Sequence, residues 1–126
     1  LAGGNNYLFT GYLLQALRGD LDRFGGYDLY LTTDDTGDPS TGALLGRIGP
    51  TTNSEDWEFA SLLFTAPANA GALPFLLFQP YSLDGPGNLA YPGLDNISLT
   101  AIPLPAAIWL LMSGFILAIR SSRRVA

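Results

Sequence analysis

The chain of 126 residues contains no cysteine, no histidine and no lysine. Without cysteine there is no disulfide, no thiol nucleophile and no thiolate metal site. Without histidine the chain lacks the usual general base, the commonest metal ligand and the usual axial ligand of haem. Positive charge is scarce and uneven. Residues 1–101 hold three arginines (Arg18, Arg23 and Arg47) against all eleven carboxylates, a balance of −8, and Arg120, Arg123 and Arg124 return the whole chain to −5. No basic patch is present to neutralise phosphates, so nucleic acid is excluded as a partner. No period of 20–50 residues marks a repeat array. Together these absences argue against an enzyme.

What is present is organised around residues 102–126. Ala106 to Ile119 is free of charge, with only Ser113 and Gly114 breaking its apolar character, and Arg120, Arg123 and Arg124 close it. An apolar run ended by cations reads as a membrane segment with its basic end in the cytoplasm. Fourteen residues at 1.5 Å rise cover roughly 21 Å of a roughly 30 Å hydrocarbon core. Residues from Ile102 onward, an interfacial Trp109 and a snorkelling Arg120 make up the difference. Pro105 suits the first helical position, where its missing N–H costs nothing. A core helix is the competing reading, and the arginine cluster argues against it. Gly114 and Ala118 form a small-xxx-small pair, a face on which another membrane helix packs closely.

With the arginines inside, residues 1–101 lie outside the cytoplasm and require an export signal, expected to precede Leu1 along with further amino-terminal strands. This part reads as short alternating strands separated by turn formers: Tyr7–Leu17, Tyr27–Thr32, Leu44–Ile48, Trp57–Phe64, Leu73–Gln79 and Leu94–Thr100. The first is expected to be covered on both faces, Trp57, Phe59 and Leu63 to oppose Glu58, Leu62 and Phe64, and Ile97 and Leu99 to point inward. Thr33–Thr41 and Pro80–Gly93 read as loops. Six such strands predict an all-β, antiparallel, jelly-roll-like sandwich at 1–101, followed by one transmembrane helix at 102–126.

Four features are candidates for chemistry. Asp34, Asp35 and Asp38 share a loop, with Asp84 and Asp95 near other strand ends. Calcium takes about six to eight oxygen ligands, so Asp34, Asp35, Asp38 and Asp95 form a calcium candidate, although loop aspartates are more often turn formers. Calcium is the one cofactor the sequence suggests. Glu55, Asp56 and Glu58 are carboxylates of the type glycosidases pair across a sugar, with Glu58 expected to point to solvent. Tyr12, Tyr27, Tyr30 and Trp57 are expected in strand packing, which leaves Tyr81 and Tyr91, both assigned to the long loop, as candidates for stacking on a polysaccharide. Asn96-Ile97-Ser98 fits an N-glycosylation pattern but falls within a strand.

Ile102-Pro103-Leu104-Pro105-Ala106, the following Ile108-Trp109-Leu110-Leu111, Ser113-Gly114 and Arg123-Arg124 together resemble the PEP-CTERM class of bacterial sorting tails. The match is to the variant written V-P-L-P-A, with Ile102 in place of valine and Val125-Ala126 trailing the arginines. The resemblance implies recognition by an exosortase, a membrane protease that cuts near the proline motif, and delivery to the cell surface or matrix. It covers about a fifth of the chain. The strand order, with Tyr7, Trp57, Phe59, Phe64, Asp95 and Asn96 at matching positions, resembles the galactose-binding-like sandwich. Three functions follow as expectations. The first is a non-catalytic, exported and membrane-anchored sandwich. The second is an accessory single-span subunit of a respiratory or photosynthetic complex, its helix against other helices. The third is a calcium-assisted carbohydrate-binding module.

Overall fold

The computed structural model describes residues 1–15, 24–52, 56–83 and 92–103. Leu17, Asp84, Tyr91, Glu55, Leu104 to Ala106, Gly114, Ala118 and the three terminal arginines lie outside the described residues. Two antiparallel three-stranded sheets make up the fold. One has the order β4-β1-β6 and the other β3-β2-β5. The strands are β1 (Asn6–Leu14), β2 (Gly25–Thr32), β3 (Ala43–Ile48), β4 (Glu58–Thr65), β5 (Phe75–Ser82) and β6 (Gly93–Ile102). Single 3₁₀ turns at Pro39–Thr41 and Ala70–Ala72 break two of the connections.

Alternation places Tyr7, Phe9 and Leu13 of β1 on the inner face, where they meet Leu29 and Leu31 of β2, Ile48 of β3 and Phe64 of β4. Ala66, Ala70 and Leu73, from the β4–β5 connection, close one end of this core. Rings carry much of the contact: Tyr7 stacks on Phe64 at 5.9 Å, and Phe9 and Tyr27 meet Phe78 at 5.7 and 6.2 Å. Offset and edge contacts at these distances suit the ring quadrupoles. Between the sheets, Leu62 lies over Gly46, whose φ is +153°. A Cβ at Gly46 would come within 2.7 Å of a terminal methyl of the leucine, which can shift, so it is the backbone angle that calls for glycine.

Several expectations change in detail. β1 stops at Leu14 and is covered on its inner face, while Tyr12 on the outer face is exposed. β4 is turned the other way from a core of large aromatics. Trp57, Phe59 and Leu63 are 47, 62 and 64% exposed, whereas Ala60, Leu62 and Phe64 face inward. The register explains this: Phe64 lies opposite buried Tyr7 and Ala60 opposite Gly11, so β4 and β1 share the inner face at these pairs. β6 differs as well. Leu99 pairs with Phe9, an inner-face position, yet Leu99 is 37% and Ile97 54% exposed. β6 is an edge strand packed chiefly on β1. β5 runs to Ser82, which makes Tyr81 a strand residue rather than a loop residue.

Candidate functional site

A hydrogen-bonded knot fixes one end of the sandwich. Thr51 Oγ1 donates to Gln15 Oε1 at 2.7 Å, and Thr51 N donates to Gly25 O at 2.9 Å. Gln15 and Thr51 are both buried, and pairing is what makes burial of such groups tolerable. The knot ties the last residue after β1 to the start of β2. The opposite ends of those strands, Asn6 and Thr32, therefore lie together at the other pole.

Beside the knot a cleft of about 270 Å³ opens between β3 and β4. It is lined by residues of β1, β3 and β4, among them Leu13, Arg47, Ile48, Glu58 and Ala60, and by Thr51. Among the described residues β3 bonds only to β2 and β4 only to β1, so the other edges of both strands border this opening. An unpaired strand edge presents backbone donors and acceptors. The two charged side chains are held by neighbours. Thr52 N donates to Glu58 Oε2 at 2.7 Å, and the Thr52 hydroxyl bonds the other carboxylate oxygen. Arg47 donates to Asp28 through Nε at 2.7 Å and Nη2 at 2.9 Å, and lies 3.8 Å over the Tyr81 ring. Asp28 raises the Arg47 pKa further, chiefly through that hydrogen bond. Burial raises the Tyr81 pKa, with Arg47 opposing and Asp28 adding to the effect. Burial alone raises that of Tyr27, whose hydroxyl donates to Pro92 O.

The sequence-predicted candidates are dispersed. Asp34 Oδ1 accepts from Thr36 N at 2.7 Å, and Asp38 Oδ1 accepts from Ser40 N at 2.8 Å as the cap of the Pro39–Thr41 turn. The bonds to Thr36 hold the Asp34 carboxyl below its ordinary pKa. Asp95, paired with Tyr12 in the other sheet, accepts from Asn96 N at 2.7 Å. Among the described residues no three His, Cys, Asp or Glu side chains come together. Tyr81, offered as a loop ligand, is instead a β5 residue beneath Arg47 whose hydroxyl donates to Ile48 O at 3.3 Å. Glu58, expected to face solvent, is half-buried and lines the cleft.

Sequence reasoning missed this cleft because it turned β4 over. The signal that was available is the Glu58-Ala60-Leu62-Phe64 series, whose small residue Ala60 fits opposite Gly11. At the other pole, β6 leaves the sandwich through Ile102, which pairs with Asn6, and Pro103. That pole also exposes Leu1, Leu63 and Phe75. No helix among the described residues is long and apolar enough to cross a membrane, and the apolar run at 106–119 is not among them. No family model, no curated protein and no solved structure matches the chain.

Proposed function

We propose that the chain is a non-catalytic, exported bacterial envelope protein. In this reading a jelly-roll-like sandwich stands outside the inner membrane and residues 102–126 anchor and sort it. The supporting observation is the exit of β6: its last pair, Asn6 with Ile102, leads directly into Pro103 and the apolar run, with no linker between. A sandwich attached so closely brings that pole to the lipid surface, and Leu1, Leu63 and Phe75 give the pole an apolar fringe suited to it. Ile102 to Ala106 serve as the motif read by an exosortase-like protease, and Arg120, Arg123 and Arg124 hold the end in the cytoplasm.

A second reading is an accessory subunit of a larger membrane complex, its tail packed through Gly114 and Ala118. The exposed Tyr12, Trp57, Phe59 and Leu63 favour it, because large apolar groups on one sheet face suit a protein contact. Intact mass, measured on protein from cell-surface and membrane fractions, separates the two. The sorting reading predicts a surface form ending near residues 103–107. A form that retains Arg123 and Arg124 and migrates with a large assembly overturns it in favour of the subunit reading.

A further inference from the structure

We propose that the outer face of the β4-β1-β6 sheet docks a basic segment of a partner protein, with an arginine side chain over Tyr12 and Phe59 and against Asp95. This deepens the protein-contact reading of that face, on which it rests, and depends on neither sorting nor anchoring. Tyr12 pairs with Phe59 of β4 on one side and with Asp95 of β6 on the other, so the three side chains form one row across the sheet. The Phe59 ring meets Tyr12 edge-on at 5.6 Å. All three residues are exposed, and Asp95 Oδ1 accepts only from the adjacent Asn96 N among the described residues.

Trp57 widens the platform. It precedes β4, yet its indole reaches across β1 to Gly93 of β6, 3.3 Å from where a Cβ would stand. Glycine there leaves room for the ring. Exposed aromatic surface beside a carboxylate suits a cation, which is drawn to the ring faces and to the acid together.

The other sheet shows what such a combination holds. There Asp28 and Tyr81 take Arg47 of β3, with two bonds to the carboxylate and the guanidinium 3.8 Å over the ring. β1, β4 and β6 contain no arginine or lysine, so a cation for Tyr12, Phe59 and Asp95 comes from outside this sheet. Arginine suits the place better than lysine, because its planar guanidinium stacks on rings and pairs a carboxylate through two bonds. Charge excludes other occupants. The −8 balance of residues 1–101 repels anionic partners and second copies alike. Lipid is also distant: Tyr12 lies six residues along β1 from Asn6, which pairs with Ile102 at the chain exit, or roughly 20 Å at strand rise.

The test uses the full chain in nanodiscs of zwitterionic lipid, with Trp109→Phe so that Trp57 is the reporting fluorophore. The probes are a peptide of repeated Gly-Ser-Arg and its Gly-Ser-Gln counterpart, with affinity read by calorimetric titration. The arginine peptide binds and shifts the Trp57 emission, and the glutamine peptide does neither. Phe59→Ala weakens binding roughly tenfold, the scale of a contact that carries an interface. Because Phe59 is exposed, its melting temperature stays at the wild-type value. Asp95→Asn weakens binding too, whereas Asp35→Asn, which removes the same charge from an exposed loop, leaves it unchanged. The double variant Arg18→Gln, Arg23→Gln also leaves it unchanged. The proposal is overturned if the arginine peptide fails to bind, binds without moving the Trp57 emission, or binds no more tightly than the glutamine peptide. It is also overturned if Phe59→Ala leaves affinity intact, or if Asp35→Asn costs as much as Asp95→Asn. Binding about tenfold tighter in the double variant overturns it as well, since the chain's own arginine would then be the occupant. Neither result touches the intact-mass comparison, which judges the subunit reading separately.

Discussion

Gly26 shows how closely this small sandwich is packed. A Cβ there would lie 2.0 Å from the carbonyl oxygen of Ile48, which is backbone and cannot swing aside. Gly26→Ala should therefore cost about 1–3 kcal/mol, the range of overpacked sites, read as a lower midpoint in urea unfolding. Thr51 is the polar counterpart. Thr51→Val keeps the shape but removes the hydroxyl that donates to Gln15 Oε1, for an expected loss of about 1–3 kcal/mol. Titration adds a check at each end of the pH scale. Tyr27 and Tyr81 hold their protons more tightly when folded. Their contribution to stability is therefore complete below the ordinary tyrosine value of about 10 and fades as pH rises through the raised folded values. An ultraviolet titration should show late-ionising tyrosines, one fewer of them in Tyr27→Phe. Asp34 has the opposite sign. Its folded pKa is lowered by Thr36, so what it adds is present above the ordinary aspartate value and lost as pH falls through the lowered one. Asp34→Asn should flatten stability in that acid window, and an unchanged acid limb would contradict the Thr36 contact.

At the scale of elements, β4 separates what alternation reveals from what it conceals. The six strands were legible because turn formers such as Thr33–Thr41 punctuate them and apolar residues recur with a period of two. The facing of β4 was not legible, since Trp57, Phe59 and Leu63 compete with Ala60, Leu62 and Phe64 on hydrophobicity alone. What decides it is the partner: Gly11 leaves room for Ala60 and Tyr7 stacks on Phe64. Adjacent residues therefore differ sharply in consequence. Phe64→Ala should cost about 3–5 kcal/mol, while Leu63→Ala should stay within about 0.5 kcal/mol. Equal losses at the two positions would mean that β4 is turned the other way. In β6, Leu99 pairs with inner-face Phe9 yet stays exposed, a difference that no local pattern records. The same limit applies to the cleft. Glu58, Arg47 and Thr51 lie on separate segments, and only the pairing of the sheets brings them together.

At the scale of the whole molecule, the two poles differ in make-up. The knot of Gln15, Thr51 and Gly25 stands beside the cleft, away from the chain exit. The other pole carries Ile102, Pro103 and the apolar fringe from which the tail departs. The proposed orientation turns the cleft outward and the fringe toward lipid. The proline motif, apolar run and arginine cluster are contiguous in the sequence, and from Leu104 onward they lie outside the described residues. The orientation is testable with unusual economy, since the chain has no cysteine to remove. Single substitutions Thr36→Cys, in an exposed loop, and Ala126→Cys, beyond the arginines, are expressed separately in intact cells and treated with a membrane-impermeant maleimide. Thr36→Cys should label in intact cells and Ala126→Cys only after lysis. Labelling of Ala126→Cys in intact cells, with Thr36→Cys protected until lysis, would invert the topology and contradict the account.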